Sequence, residues 1–515
     1  MQKPKTFRPW QPEQTTLLPP SPRDWLAEDH QVYFLLDLVD ELDLSAILIP
    51  AQEKDPRGEK GFDPRMMTML LLYAYCVGTV SSRKIERACY EDLAFRVLTG
   101  NQQPDHSRIS DFRRRNLDAL KGLFVQILRL CQIAGMVSLG HVALDGTKVQ
   151  ASASKHKAMS HERMLRAEKE LKKEINALIR KAEILDAQED RKYGKGNLGS
   201  ELPDELRHKQ GRLEKIRQAR KEMEAETAAA AARQRQEEAE KARAKATAAE
   251  ESKAPAAEQA ELNRKAEAAA SKAKAAKEKA IEAADTAGVE PPDLEPLAAD
   301  AMPRRGLARK ADGTPTAKTQ RNFTDPDSHL MQSGGSYLQG YNCQLAVDSV
   351  HQVIVAVGVS NQPPDAEHLE PMLERIASSA GALPDVMTMD AGYWSEDNAN
   401  ACSDQGIDAY IATGRLPHGQ QPPPKRGPIP RGADAKARMA RKIRSKKGSR
   451  IYSQRKAIVE PVNGQIKEAR GLRHFLLRGL EKVDCEWHFI AATHNLLKLF
   501  RFRRAQRQTL MAATG

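Results

Sequence analysis

Apolar residues along this chain change their spacing several times, and the changes divide it. From about residue 29 to 135 they recur at helical intervals, as in Tyr33-Phe-Leu-Leu-Asp-Leu-Val-Asp-Glu-Leu. The Met66–Val80 run is about 15 residues, short of the roughly 20 that span a bilayer, so it predicts a buried helix. Ser81-Ser82 offers an N-cap to the next helix. After Gly100-Asn-Gln-Gln-Pro104, Ser107 or Ser110 can cap a helix that presents Arg108, Arg113, Arg114 and Arg115. A short helix, a turn and a basic helix suit a helix-turn-helix DNA reader, whereas a small bundle with a solvated arginine face is the plainer alternative.

At residues 141–153 the pattern turns strand-like, and then the composition shifts to Ala, Glu, Lys and Arg until about 285. Met164, Leu171, Ile175, Leu178 and Leu185 follow a heptad-like spacing, as do Leu213, Ile216 and Met223. Gly194–Pro203 breaks the pattern, which predicts an antiparallel helical hairpin. Beyond Glu224 the apolar positions are nearly all alanine, which predicts helix without tight packing. The Pro-rich stretch 290–303 closes this insertion. Strand signals return at 337–348, 352–360, 384–390 and 409–413, with helices expected at 366–379, 452–469 and 484–502. The organisation is therefore an extended arm (1–28), a helical domain (29–135), an α/β unit (136–155 and 320–505) split by the insertion (156–300), and a tail (506–515).

Composition narrows the partners. The 515 residues carry a formal net charge of +12, and 425–456 holds thirteen Lys or Arg against one acid, Asp434. Such a balance favours a polyanion, because neutralising phosphate releases counterions. The six cysteines lie far apart without a CxxC pair, which argues against a disulfide framework or structural zinc. The N-terminus lacks the apolar core of a signal peptide, and the expected location is the cytoplasm.

Asp145 follows Val-Ala-Leu and Asp390 follows Val-Met-Thr-Met, so each is expected where a strand ends, the usual place for a site in an open α/β sheet. Mg²⁺ takes such oxygen ligands. Alone, Asp145-Gly146 also reads as a turn and Asp390 as a loop-start acid, with Asp385 and Asp397 as rivals. A third element adds weight: Tyr452, Arg455, Glu460 and Lys467 lie on one expected helix, with Glu460 and Lys467 on a shared face and Glu468 a competing acid. Trp394 suits either a core position or stacking on an unpaired base.

These residues resemble the Tyr-Arg-Glu-Lys signature of DDE insertion-sequence transposases with an RNase H-like catalytic domain. Together with Asp-Gly-Thr at 145–147, Thr324-Asp-Pro-Asp, the 339–344 strand and Asp390-Ala-Gly-Tyr, they look like the insertion sequence eleven-eighty-two group, over roughly residues 25–500. The gap of four residues from Arg455 to Glu460 departs from the three of many relatives. The resemblance implies a multidomain fold: a helical DNA-binding domain and an RNase H-like α/β domain interrupted by a coiled insertion. It implies Asp145, Asp390 and Glu460 as metal ligands for two Mg²⁺ ions, with Mn²⁺ as substitute, and Tyr452, Arg455 and Lys467 on DNA phosphates. It further implies double-stranded DNA as partner, a homodimer on DNA, nucleoid association, and metal-dependent cleavage with 3′-hydroxyl strand transfer. A nuclease that cuts without joining and a non-catalytic basic coiled-coil DNA-binding protein are the alternatives.

Overall fold

The computed structural model describes residues 24–52, 61–193, 204–252, 255–294, 298–414, 427 and 432–514. Most of the arm and the Pro-rich basic loop therefore lie outside the described residues. Seven helices come first: α1 (Gln31–Leu38), α2 (Ser45–Gln52), α3 (Pro64–Cys76), α4 (Ser82–Glu91), α5 (Leu93–Leu98), α6 (His106–Arg115) and α7 (Leu117–Ile133). Asp63 accepts from the Arg65 backbone N–H and Pro64 occupies the first turn, so α3 begins on a cap and a residue whose missing N–H costs nothing there. Every residue from Met67 to Cys76 is buried, which is why this run is apolar all round.

The six-stranded sheet holds β1 (His141–Gln150), β4 (His329–Ser333), β5 (Ser336–Asp348), β6 (Ile354–Ser360), β7 (Val386–Met389) and β8 (Asp408–Ile411). Its order is β4-β5-β1-β7-β8, with β6 also on β5. β1 pairs antiparallel with β5 and parallel with β7, and β7 pairs parallel with β8. Gly334 and Gly335, both at positive φ, make the tight turn between β4 and β5 that twisted hairpins favour. Helix α11 (Leu369–Ala380) packs on β6, and α12 (Glu396–Asp404) follows β7. Helices α13 (Ala435–Arg444), α14 (Lys446–Gly464) and α15 (Leu480–Thr514) complete the chain. The last helix covers 506–514 as well, so the expected tail continues it.

One apolar core runs through both the N-terminal helices and the sheet. Helix α15 joins them, packing on α7, α3 and β6. Its first turn is held from a distance: Asp327 Oδ2 accepts from the Leu480 N–H at 2.8 Å, and buried Asp325 accepts from Gly479 N–H at 3.1 Å and from the Tyr341 hydroxyl. The acids of the Thr324-Asp-Pro-Asp block thus satisfy orphan helix-terminal donors.

The insertion leaves the sheet through a two-stranded ribbon, β2 (Ala158–Ser160) against β3 (Gln320–Asn322). Between them stand α8 (His161–Tyr193), α9 (Asp204–Glu251) and α10 (Ala256–Ala287). The heptad residues Met164, Leu171, Ile175, Leu213, Ile216 and Met223 form one cluster within this chain, closed by Leu307. Arg321 of β3, almost buried, pairs with Glu222 at 3.1 Å and Glu226 at 2.6 Å of α9, bolting the neck. Beyond Glu224 the expectation of loose packing is corrected: Ala232, Ala280, Ala284 and Ala287 are buried between α9 and α10. Alanine has little area to bury, but its small side chain lets two helices approach closely.

Candidate active site

Asp145 does not end its strand. β1 continues to Gln150, while its parallel neighbour β7 stops at Met389, paired with Leu144. Asp145 and Asp390 are thus the next residues along two adjacent parallel strands, about 5 Å apart in backbone terms. The turn reading of Asp145-Gly146 is overturned by the same register. Asp390 caps the turn that follows, accepting from the Gly392 N–H at 2.8 Å.

Alternation along β1 sends Asp145 and Thr147 to one face and Gly146 and Lys148 to the other. Helix α14 meets the first face. Arg455 brings Nη1 to 3.4 Å from Asp145 Oδ1, while its Nε is buried without a hydrogen-bond partner. That distance is longer than the 2.7–2.9 Å of a tight charge-assisted bond, so the guanidinium stands beside the acid without being locked to it. Burial pushes Asp145 up to about 6 against the pull of Arg455, and Asp390 and Asp365 add to the rise. Burial also raises the Tyr452 hydroxyl, with Arg455 opposing it.

Lys467 donates to Thr147 Oγ1 at 2.5 Å and to the Lys148 carbonyl at 2.7 Å, and burial lowers its pKa. Its ammonium thus ties the turn that follows α14 to β1. Glu460 is exposed on α14. Among the described residues no three His, Cys, Asp or Glu stand close enough to hold a metal ion together. The shared face expected of Glu460 and Lys467 is interrupted for a local reason. Pro461 has no N–H for the Ala457 carbonyl, which instead accepts from Gln352 Nε2 at 2.9 Å. Four residues on, Gln465–Ala469 form a π-turn, which breaks the 3.6-residue register. Glu468, the competing acid, pairs with Arg473 at the surface.

The arginines of α6 divide. Arg113 is buried, donates to the Val80 carbonyl at 2.9 Å and lies over the Tyr75 ring, so it is withdrawn from the DNA-facing set. Arg108 pairs with Asp105 and lies over Phe62, Arg114 pairs with Asp111, and Arg115 is exposed. Trp394 is half-buried against the core. Farther along, Lys442 of α13 is held by Asp408 at 2.6 Å, which leaves Lys436 and Arg438 as exposed cations of that helix.

The acid missed by sequence reasoning is Asp365, in the β6–α11 connection. Its Oδ1 accepts from Asn342 Nδ2 at 2.7 Å and Gln344 Nε2 at 3.0 Å, and Lys148 Nζ stands 3.6 Å away. The available signal was a pair of amides, Asn342 and Gln344, alternating in the buried half of β5. Oxygen donors at Asp145 and Asp390 suit a hard divalent cation, which commonly takes one or two carboxylates and completes its shell with phosphate and water.

Two family models match the chain: Transposase domain (DUF772) over residues 20–115 and Transposase DDE domain over residues 309–496. Together they support a DNA transposase of the DDE class, whose partner is DNA and whose members typically use divalent metal ions. The second match begins after the insertion, so β1 and Asp145 lie outside it. No curated protein and no solved structure matches the chain. No helix among the described residues is long and apolar enough to cross a membrane.

Proposed function

We propose that this protein is an insertion-sequence transposase of the eleven-eighty-two group that binds inverted repeats, cleaves the strand ends and transfers their 3′-hydroxyls to target DNA. The observation that carries the reading is the Asp145–Asp390 pair on adjacent parallel strands, with Arg455 of α14 beside it. The strand order β6-β5-β1-β7-β8, three antiparallel strands followed by two parallel ones, supports an RNase H-like catalytic fold.

In this reading Asp145 and Asp390 are ligands for Mg²⁺, or Mn²⁺ in its place, with Glu460 completing the set through a rearrangement of α14 around Pro461. Divalent cations held there would supply activation of the attacking water or hydroxyl and stabilisation of the leaving oxygen. Arg455 and Tyr452, one turn apart, hold a DNA phosphate next to the acids. Lys467 keeps β1 against the turn that follows α14, so its contribution is to the position of Asp145. Arg108, Arg114 and Arg115 of α6 and the exposed cations of α13 supply backbone contacts that place the duplex. Trp394 stacks on an unpaired end base. Two copies act on paired ends, and since the described heptad residues Met164, Leu171, Ile175, Leu213, Ile216 and Met223 pack together within one chain, the pairing surface is placed elsewhere in this reading.

The test is strand transfer. A precleaved, labelled end duplex is incubated with plasmid and Mg²⁺, and joined product is expected with wild type and not with Asp390→Ala. Cutting without joining would replace this reading with a nuclease; binding without either reaction would leave an architectural protein.

A further inference from the structure

Asp365 has no part in a three-carboxylate scheme, yet it reaches toward both aspartates. A Cβ on Gly146, the residue after Asp145, would lie 2.5 Å from Asp365 Oδ1 and 2.8 Å from Gln344 Nε2. A Cβ on Gly392 would lie 3.0 Å from Asp390 Oδ1 and 3.1 Å from Asp365 Oδ2. Glycine at both places lets the Asp365 carboxylate press against the backbone next to each acid.

Hydrogen bonds extend the contact. Gln344, which donates to Asp365, accepts from the Tyr393 hydroxyl, and Tyr393 is three residues after Asp390. Asn398 closes a second path, its Nδ2 donating to the Ala366 and Tyr393 carbonyls at 2.7 Å each. Asn342, Gln344 and Tyr393 are fully buried and Asn398 nearly so, which shields these bonds from water.

We propose that Asp365 is a positioning residue for the cleavage reaction. It holds Asp145 through Gly146 on one side and Asp390 through Gln344 and Tyr393 on the other, and so fixes the separation of the two acids. The inference rests on reading Asp145 and Asp390 as the reacting pair. Both amide donors meet one oxygen of Asp365, so Asp365→Asn keeps the acceptor and removes the charge, whereas Asp365→Ala removes both.

The full chain is tested by nicking of a labelled end duplex in Mn²⁺, by Mn²⁺ binding followed with electron paramagnetic resonance, by end binding, and by melting. Asp365→Ala and Tyr393→Phe are each expected to lower nicking and Mn²⁺ affinity by about 10–100-fold with end binding unchanged, as groups that orient metal-binding carboxylates do. Because they act along one path, the double variant should be no worse than the poorer single one. Asp365→Asn should recover most of the loss. Additive losses, an Asn variant as poor as Ala, or losses that merely follow melting would overturn the proposal. If Asp365→Ala fails to fold, Tyr393→Phe and Asp365→Asn decide. Should wild type not nick, the Mn²⁺ arm separates the two ideas. Binding lost in Asp145→Ala and weakened in Tyr393→Phe would keep Asp365 as a positioning residue while ending the transposase reading. Mn²⁺ binding indifferent to Asp145 would end both.

Discussion

The sheet around Asp145 and the α9–α10 hairpin are built on opposite terms. At the sheet, polar side chains are buried or half-buried and committed: Asp365, Asn342, Gln344, Tyr393 and Asn398 each bond to a residue far away in sequence. In the hairpin beyond Thr227, buried positions are alanines and the charges lie outside, paired within a helix as in Glu261–Lys265. A buried amide must find its one partner, and an alanine face needs only a neighbour of the right curvature. The first arrangement tolerates almost no change in shape; the second tolerates a great deal.

The largest effect is expected at Gly146. Gly146→Val forces two branches into the space of Asp365 and Gln344, and overpacking of this kind costs about 2–3 kcal/mol. Thermal melting should fall accordingly and nicking should vanish; a stable, active variant would mean that the sheet gives way as readily as the hairpin.

Next comes a pH effect. The folded pKa of Asp145, pushed up to about 6 by burial, exceeds the usual value of about 3.9. Protonation of Asp145 therefore contributes stability that is full below about pH 4 and lost as pH rises through about 6. Without divalent cation, the melting temperature of wild type should decline relative to Asp145→Asn across that window. Parallel curves would show that Asp145 is not desolvated.

A smaller change is expected at the neck. Arg321→Ala removes two ion pairs to α9 at a site only partly open to water, and about 1 kcal/mol of local stability should go with them. Hydrogen exchange should quicken in α9 around Glu222 and Glu226 and not in β1; quickening in β1 would make the insertion part of the catalytic core. The smallest is Lys265→Ala on the exposed hairpin face, which removes only a solvent-screened pair with Glu261 one turn away and is read from local helix exchange alone.

The same contrast explains what could be read from the residues in order. Long apolar runs such as Met67–Cys76, β6 and β7 declare themselves, because burial on nearly all sides leaves few polar positions. Asp365 does not, since its role is made by amides on β5 and a tyrosine beyond β7. Among the α6 arginines nothing local says that Arg113 is the one that turns inward to the Val80 carbonyl. The disposition of Glu460 relative to Lys467 departs from ideal helix geometry, which Pro461 and the π-turn disturb. Alanine packing in the hairpin was missed because small side chains give a weak hydrophobic signal.

The most direct measurement of the central claim is metal-dependent nicking of a labelled transposon-end duplex by wild type, Asp145→Ala, Asp390→Ala and Glu460→Ala at equal end occupancy. The account predicts nicking by wild type and a loss of about 10³-fold or more in both aspartate variants, as expected when the groups that organise transition-state charge are removed. Loss is predicted in Glu460→Ala as well, because Glu460 completes the set; nicking retained there would remove Glu460 from it. Nicking that survives removal of Asp145 or Asp390 would contradict the account, because the pair at the end of β7 would then not be where the phosphodiester is cut.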